Sequence, residues 1–361
     1  MSTDGKVKRP GRVAAKLATV LQQRIASGEM PVGQYLPGVR ELSRQHKVSP
    51  ETARRAMKLM EAEHWVRAYP GHGFRITAHG NDPDRAAPIA FILSGSQSKG
   101  QWTGLYDLLL GALHQAARER GWSVLGLGAE GRNVQDIAEQ LKAARVAGLL
   151  LDTLNAPLIE AMQKLGMPTV LIEDWSSRAQ LDCVSQDNFG GAFKAAEYLA
   201  DRGHKCVGWF GPIRPTPASV ERWAGAAGCL RDRGVEMPPA LVAHSYGPDA
   251  EPALRRMLSG PGRPTGLLAL WRESAALAAR VAAERDLAPG RDIEIVGWST
   301  EEQFAEYAAT FPNGAAPATV IWSMKSLAET AIARLAERRA RPDLPIARVS
   351  VGTTLRLPVQ A

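Results

Sequence analysis

SPETARRAMKLMEAEH, at residues 49–64, predicts a short amphipathic helix and decides how the first quarter of the chain folds. Ser49 can cap such a helix by accepting a hydrogen bond from a free backbone N–H, and the proline after it suits the first helical position, where its missing N–H is not needed. Ala56, Leu59 and Met60 recur at helical spacing and are expected to face a core.

The polar residues of the same stretch cluster in its first turns and fall largely outside the apolar stripe: Glu51, Thr52, Arg54, Arg55 and Lys58. A helix of this kind can enter the major groove of DNA, where its N-terminal residues reach base edges and its arginines reach phosphates or guanine. The alternative is an ordinary surface helix with a solvated charged face. The flanking sequence decides between the two.

The positive charge of the 361-residue chain lies in its first quarter. Residues 1–80 hold 14 Lys and Arg against 6 Asp and Glu, a net charge of +8, whereas residues 81–361 have a net charge of −1. Such a concentration attracts a polyanion, and nucleic acid is the expected one. No apolar run is long enough to span a bilayer, and no lipidation motif or secretory signal is present, so a membrane partner is not expected.

The three cysteines, Cys183, Cys206 and Cys229, are scattered and lack the spacing of metal ligands. They are interpreted as small buried hydrophobes in a reducing cytoplasm, and no metal site is predicted.

The sequence around the helix predicts a winged helix-turn-helix. A helical stripe spans residues 12–27, and a second short helix spans residues 39–45, with Leu42 inward and Arg40 outward. After the helix that begins near Ser49, WVRAYPGHGFRI predicts two short strands around a Pro-Gly-His-Gly tip.

Residues 12–77 resemble the DNA-binding domain of GntR-type transcription regulators, through LPGVREL, VSPETARRA and GHGF. The resemblance places Arg40 on the DNA backbone or a guanine. It places Ser49, Glu51, Thr52 and Arg54 at the groove, and the tip of the wing, with His72 and Gly73, near the minor groove. The DNA-binding candidates are Arg40, Ser49, Glu51, Thr52, Arg54, Arg55, Lys58, His72 and Gly73.

Two of these candidates, Arg55 and Lys58, are expected to contact phosphates rather than bases. Glu51 departs from the family, since many relatives have a basic or hydroxyl residue there. A carboxylate can accept from cytosine N4 but is repelled by phosphates.

The remaining chain predicts a separate α/β region. Residues 81–88 form a Pro- and Asp-containing linker between a first domain at residues 1–80 and a second at residues 89–361. Beyond the linker, short β-rich runs such as IAFILS alternate with amphipathic helices, which predicts parallel sheets. The alternation restarts after CVSQDN, so two lobes are expected to face each other across a cleft, with ligands at the carboxyl ends of the strands.

Residues 88–357 resemble the effector-binding domain of LacI-type repressors, a type I fold similar to periplasmic sugar-binding proteins. The run SQDNFGGAFKAAEYLADRGHKCVGWFGP carries the resemblance most strongly, together with VAGLLLDT, GMPTVLIE and ERWAGAAGCLRDRGV. The ligand-binding candidates that it implies are Ser94, Trp102, Glu173, Asp174, Trp175, Asp187, Arg222, Arg272, Glu273, Trp298 and Trp322.

Several candidates depart from the family pattern. Arg272 and Glu273 stand where relatives usually have Asn-Asp, Ser299 where aspartate is frequent, and Trp322 where glutamine is common. The extra arginine favours an acidic or phosphorylated ligand. Alternatives stay open: the tryptophans can pack in a core, Arg272 can form an ion pair with a cleft acid, and Asp187 can cap a helix.

The expected function is a repressor that binds double-stranded operator DNA as a homodimer and responds to a small sugar or acidic sugar derivative. One alternative is a GntR-type regulator with a pyridoxal-phosphate-binding C-terminal domain, and another is a transport-type binding protein. No lysine beyond the first domain has a convincing cofactor context, and GxSxG, HExxH and GxxxxGK[ST] are absent. Neither catalysis nor a cofactor is expected.

Overall fold

A computed structural model of the chain divides it into two compact units, Met1–Ala87 and Pro88–Ala361. The described residues are 10–26, 29–31, 33–62, 65–69, 73–76, 88–94, 103–153, 155–173, 180–212 and 216–358. The candidates that lie outside these residues are His72, Trp102, Asp174 and Trp175. No helix among the described residues has the length and apolar character needed to cross a membrane.

The first unit is a winged helix-turn-helix, as predicted. Its elements are α1 (Pro10–Ala26), α2 (Val39–Gln45), α3 (Pro50–Ala62), β1 (Val66–Tyr69) and β2 (Gly73–Ile76). The two strands pair antiparallel, with Val66 opposite Ile76. Leu21 of α1, Leu42 of α2 and Met57 of α3 are buried in one cluster with both of these residues, so the wing and the helices share a core.

One core prediction for α3 is wrong. Ala56 and Met60 are fully buried, but Leu59 is 38% exposed. The buried stripe continues through Ala53 and Met57, which lie three or four residues from Ala56 and Met60, whereas Leu59 lies about a quarter-turn or more to the side of that stripe.

The second unit contains two lobes, each built on a six-stranded sheet. The elements of lobe 1 are β3 (Ile89–Ser94), α4 (Thr103–Arg118), β4 (Val124–Gly128), α5 (Val134–Ala143), β5 (Gly148–Thr153), α6 (Ala156–Lys164), β6 (Thr169–Ile172), β7 (Asp182–Gln186), α12 (Met324–Ala340) and β13 (Arg348–Val351). The sheet order is β13-β7-β6-β5-β3-β4 and every neighbouring pair is parallel.

Lobe 2 has the sheet order β14-β12-β11-β10-β8-β9, parallel except that β14 runs antiparallel to β12. Its elements are α7 (Asn188–Asp201), β8 (Val207–Phe210), α8 (Pro217–Asp232), a 3-10 turn (Pro239–Leu241), β9 (Val242–Ala243), α9 (Ala250–Met257), β10 (Gly266–Leu268), α10 (Arg272–Ala283), β11 (Glu294–Thr300), α11 (Phe304–Ala308), a 3-10 turn (Pro312–Gly314), β12 (Ala318–Trp322) and β14 (Thr354–Arg356).

The chain passes between the lobes three times, after β7, after β12 and after β13. Two of these passages are joined, because the backbone N–H of Asp187 donates to the carbonyl of Val351 over 2.8 Å. Lys194 of α7 donates to the carbonyl of Thr353 over 2.6 Å. These bonds hold the first and third passages side by side, at the place where the two sheets face each other.

The cysteines are free thiols. Cys183 and Cys229 are buried, as predicted, but Cys206 is only partly buried, at the start of the strand region that leads into β8.

Candidate functional sites

The N-terminal end of α3 is capped as the sequence predicts. The hydroxyl oxygen of Ser49 accepts a 3.1 Å hydrogen bond from the backbone N–H of Thr52 and lies 2.8 Å from the Thr52 hydroxyl. The turn between α2 and α3 contains Lys47 in the left-handed region, with φ +50°. This turn and this cap set the angle at which α3 leaves α2.

Cationic side chains cover the exposed side of α2 and α3. Arg40, Arg54, Arg55 and Lys58 are all exposed, as their proposed contact with a polyanion requires. Glu51 lies among them and binds two of them: its carboxylate is 2.7 Å from Arg54 Nη1 and 3.6 Å from Arg55 Nε. All three side chains are more than half exposed, so water screens these pairs and DNA can compete for the arginines.

The described part of the wing adds an exposed cation and an unusual glycine. Gly73 begins β2 with φ +94°, a conformation that L side chains rarely adopt. Arg67 of β1 lies over the ring of Tyr69, 5.8 Å from its centroid, and is exposed. Arg75 of β2 instead donates to the Gly33 carbonyl over 2.9 Å, so it anchors the wing to the loop before α2. Arg67 is a cation that sequence reasoning did not single out, because an isolated arginine in a strand carries no pattern.

In the second unit, the described candidates come from strand ends, from one strand interior and from helices of both lobes. Ser94 ends β3, where it is in register with Thr153 of β5. Glu173 follows β6 and has φ +63°, an uncommon backbone conformation for a residue with a side chain. Arg222 comes from α8 and Trp298 from β11 of the other lobe.

A buried glutamine joins three of these candidates. Gln186, the last residue of β7, is 5% exposed. Its backbone N–H donates to Glu173 Oε1 over 3.1 Å and its side-chain amide donates to Glu173 Oε2 over 2.8 Å. Its side-chain oxygen accepts from Trp298 Nε1 over 2.7 Å and from Arg222 Nη2 over 3.1 Å.

Arg222 is the most heavily engaged side chain of this cluster and is 3% exposed. It also donates to Asn188 Oδ1 over 2.8 Å and to the carbonyl of Leu270. Its guanidinium carbon lies 3.9 Å from the ring centroid of Trp298 and 4.6 Å from that of Trp271. Burial lowers the pKa of Arg222 to about 9, and the nearby Glu173 carboxylate acts in the opposite direction.

The charge at Glu173 is set by the same contacts. Burial raises the pKa of its carboxyl group, whereas the hydrogen bonds from Gln186 and the charge of Arg222 act to lower it, and burial outweighs them. The carboxyl group therefore loses its proton less readily than a solvated glutamate.

Three candidates, Asp187, Trp298 and Trp322, also make contacts that support the fold. Asp187 caps α7, because its Oδ1 accepts from the Gly190 N–H over 2.9 Å. Trp322 is 6% exposed and packs in the core shared by the two lobes. Trp298 is 3% exposed and lies so close to Gly191 that a Cβ there would be 2.6 Å from its ring.

The Arg272–Glu273 pair lies at the start of α10, at the edge of the cluster. Arg272 Nη2 is 2.9 Å from Glu306 Oε1 of α11, so this arginine pairs with an acid, though not with Glu273. Glu273 is exposed, and its charge, after burial, raises the pKa of the Tyr246 phenol. Glu273, Tyr246 and Arg222 thus lie near one another, since Arg222 also acts on Tyr246.

Sequence reasoning missed four residues of this cluster: Gln186, Asn188, Tyr246 and Trp271. The first two flank Asp187 in the run SQDN, so a polar segment at the end of a strand was a usable signal. Trp271 and Tyr246 follow β10 and β9 without any pattern of their own.

Two family models match the chain. "Bacterial regulatory proteins, gntR family" matches residues 13–76, and "Periplasmic binding proteins and sugar binding domain of LacI family" matches residues 89–310. The chain therefore belongs to the periplasmic-binding-protein and LacI family, with a GntR-family DNA-binding domain in front of the two lobes. This combination defines a DNA-binding transcription regulator. A pyridoxal-phosphate-binding domain is not favoured, because the LacI model occupies the region where it would lie.

Curated relatives are regulators by name. The ribose operon repressor of Escherichia coli strain K12 is 28% identical over 263 residues, which cover 69% of this chain and 76% of that protein. The transcriptional repressor PurR of Escherichia coli O139:H28 is 27% identical over 205 residues, 54% of this chain and 57% of that protein.

Solved structures share the fold. A complex of the regulator CelR with cellobiose has a TM-score of 0.65 at 20% identity and covers 97% of this chain and 99% of that chain. A LacI family regulator from Enterococcus faecium with bound ribose has a TM-score of 0.60 at 16% identity and covers 74% of this chain and 97% of that chain.

Proposed function

We propose that this protein is a repressor that binds double-stranded operator DNA through α3 and the wing, and that a small sugar-like metabolite between the lobes controls its affinity. The observation that carries the proposal is the set of exposed cations on α2 and α3, Arg40, Arg54, Arg55 and Lys58, on a GntR-family winged helix. Cations in this arrangement replace the counterions of the phosphate backbone and hold the helix in the groove.

The effector class follows from the cleft and from the relatives. Carboxylate and amide groups at Glu173, Gln186 and Asn188 suit sugar hydroxyls, which both donate and accept hydrogen bonds. One relative is a ribose operon repressor, and two structures with this fold are described with cellobiose and ribose. Arg272 would suit an acidic ligand once its ion pair with Glu306 is exchanged, so we propose a sugar or an acidic sugar derivative.

A homodimer is the assembly we propose, acting on DNA in the cytoplasm. One helix of the length of α3 reads few base pairs, and two copies related by a two-fold axis would read a near-palindromic site.

The DNA-binding proposal is tested with the full-length chain and a pool of random duplex DNA at several salt concentrations. The triple variant Arg40→Ala, Arg55→Ala, Lys58→Ala removes three exposed cations from the helix pair. The matched control is Arg118→Ala, Arg120→Ala, Lys142→Ala, three exposed cations of lobe 1.

We expect the helix-pair variant to bind DNA at least about tenfold more weakly at low salt and to have a shallower salt dependence, because each phosphate contact adds to the slope. The lobe 1 variant should bind like the parent chain. Equal weakening of both variants would point to total charge and would overturn the assignment of α2 and α3.

The effector proposal is tested by thermal unfolding of the full-length chain with ribose, cellobiose, sugar acids and sugar phosphates. A ligand that binds the folded state raises the unfolding temperature by mass action. The same compound must then change the affinity for selected DNA, since a ligand shifts an equilibrium only by its differential affinity for the two states.

A further inference from the structure

Gln186 links the two lobes through a single side-chain oxygen. It belongs to β7 of lobe 1, whereas both donors to that oxygen, Trp298 and Arg222, belong to lobe 2. We infer that these two hydrogen bonds, the Gln186 bridge, hold the lobes together before an effector arrives, so that an effector reaching Arg222 or Trp298 has to displace the Gln186 amide. The second part of this inference rests on the proposed effector site between the lobes.

Two donors of lobe 2 determine which way the amide of Gln186 points. The indole N–H of Trp298 and the guanidinium group of Arg222 can only donate, so the carbonyl oxygen of Gln186 must face lobe 2 and its NH₂ group faces Glu173. Gln186 donates to both carboxylate oxygens of Glu173, through its backbone N–H over 3.1 Å and through its side-chain amide over 2.8 Å. Glu173 reaches this position through its φ of +63°, an uncommon conformation that the surrounding contacts have to maintain.

The side chains expected to hold an effector are already engaged in the bridge. The guanidinium group of Arg222 has five N–H donors, and three of its nitrogens are bound by Asn188, Leu270 and Gln186. Trp298 uses its only side-chain N–H on Gln186, and Arg222 lies over its ring.

The position of the bridge gives it influence over lobe motion. Gln186 immediately precedes Asp187, the residue at which the chain first passes between the lobes. The side chain of Asp187 caps α7. Since the bridge is buried, its hydrogen bonds are not exchanged freely with water, and breaking them leaves buried groups unpaired unless the lobes separate or a ligand replaces them.

The test measures the distance between the lobes in the full-length chain without ligand. Spin labels are placed at Ala143→Cys on α5 and Ala283→Cys on α10, which are exposed positions in lobes 1 and 2. Cys206→Ser removes the partly exposed native thiol, and Cys183 and Cys229 are buried. Pulsed electron resonance then gives the distribution of distances.

Two variants break the bridge from opposite sides. Gln186→Leu removes the acceptor, and Trp298→Phe removes one donor while keeping an aromatic ring. The matched control is Trp209→Phe, because Trp209 is also a buried tryptophan of lobe 2 but its N–H has no hydrogen-bond partner among the described residues.

We expect one narrow distance population in the parent and in Trp209→Phe. In Gln186→Leu and Trp298→Phe, a second population should appear or grow by about tenfold relative to the first, the size expected when a buried hydrogen bond is lost. If Gln186→Leu does not fold, Trp298→Phe decides.

Parent-like distributions in the bridge variants would overturn the inference. So would an equal change in Trp209→Phe, because the effect would then come from core packing. Neither result bears on the proposed function, which fails separately if the parent chain does not bind duplex DNA or no sugar alters that binding.

Discussion

Glu51 binds Arg54 through a 2.7 Å ion pair in the first turn of α3, on the surface proposed to meet DNA. The same carboxylate lies 3.6 Å from Arg55, so one acid restrains two cations while DNA is absent. DNA binding then requires exchange of a carboxylate for phosphate or base contacts. Because the pairs are largely exposed, the exchange costs little.

Removal of the acid and removal of the arginine should have opposite effects on DNA affinity. Glu51→Ala should strengthen binding to random duplex DNA by about threefold at low salt, since a charge repelled by phosphates is lost. Arg54→Ala should weaken binding by about 1–3 kcal/mol. Both are measured by fluorescence anisotropy with the full-length chain.

A matched comparison for this pair is Glu61→Ala, which removes an acid from the far end of α3, where it accepts from the Ala68 backbone N–H over 3.1 Å. Parent-like DNA affinity of Arg54→Ala would show that α3 does not face DNA.

Loss of the Asp187 side chain should destabilise the second unit through the cap of α7. Asp187→Ala removes the acceptor for the Gly190 N–H and should lower the free energy of unfolding by about 1 kcal/mol, measured by urea denaturation. Asp187→Ser retains a capping oxygen and should restore most of the stability. If serine restores stability but not the response to an effector, the carboxylate has a role in binding beyond the cap.

Two glycines in the same helix should respond in opposite ways to alanine. A Cβ at Gly225 of α8 would lie 2.2 Å from the backbone oxygen of Phe189 in α7, whereas a Cβ at Gly228 would meet nothing within 4 Å. Gly225→Ala should therefore lower stability by about 1–3 kcal/mol or more, and Gly228→Ala should raise it by up to about 1 kcal/mol.

The Gly225 variant should also disturb the cleft, because α8 carries Arg222. The measurement is urea denaturation of both variants. Equal stabilities would show that α7 and α8 pack less closely than described.

Stability should depend on Asp182 in a defined acidic range. Its buried carboxylate accepts from Arg334 and Arg338 over 2.8 Å each and from the Ala347 backbone N–H over 2.9 Å. Burial acts to raise the pKa of Asp182, but the hydrogen bonds from the two arginines and the backbone outweigh it, and the pKa is lowered. The stabilisation is thus complete above the unfolded pKa of about 3.9 and is lost as the pH falls through the folded pKa.

Asp182→Asn leaves two arginines without their carboxylate and should lower stability at pH 7 by roughly 3 kcal/mol. The free energy of unfolding of parent and variant is measured by urea denaturation from pH 7 to pH 3. The difference between them should become smaller only below about pH 4. The control is Asp343→Asn, because Asp343 is exposed. This variant should have nearly the same free energy of unfolding as the parent at every pH in the series. A gap that is constant down to pH 3 would contradict the role of the charge.

The first unit could be predicted closely because its signals are local. The second helix begins and ends at the predicted residues, Val39–Gln45, and the serine cap lies where its sequence places it. Leu59 was mispredicted because three apolar residues at helical spacing do not fix the direction of the core, and the buried stripe runs through Ala53 and Met57 instead.

In the second unit, the alternation of strands and helices predicted the parallel sheets, but not the return of α12 and β13 to lobe 1. That return depends on contacts between segments far apart in sequence, which local periodicity does not encode. The same reason explains why most of the side chains around Arg222 were not predicted. Arg222 was found through a motif, whereas its partners Gln186 and Trp271 contact it from other elements and form no spaced pattern with it.

The two edge strands β13 and β14 come from the last part of the described chain, yet they complete different sheets. During synthesis, the first unit can therefore fold on the ribosome long before either lobe has all its strands. A stop codon shortly after α12 would leave the first unit complete and both lobes without an edge strand, and under the proposed function the product would bind DNA without responding to an effector.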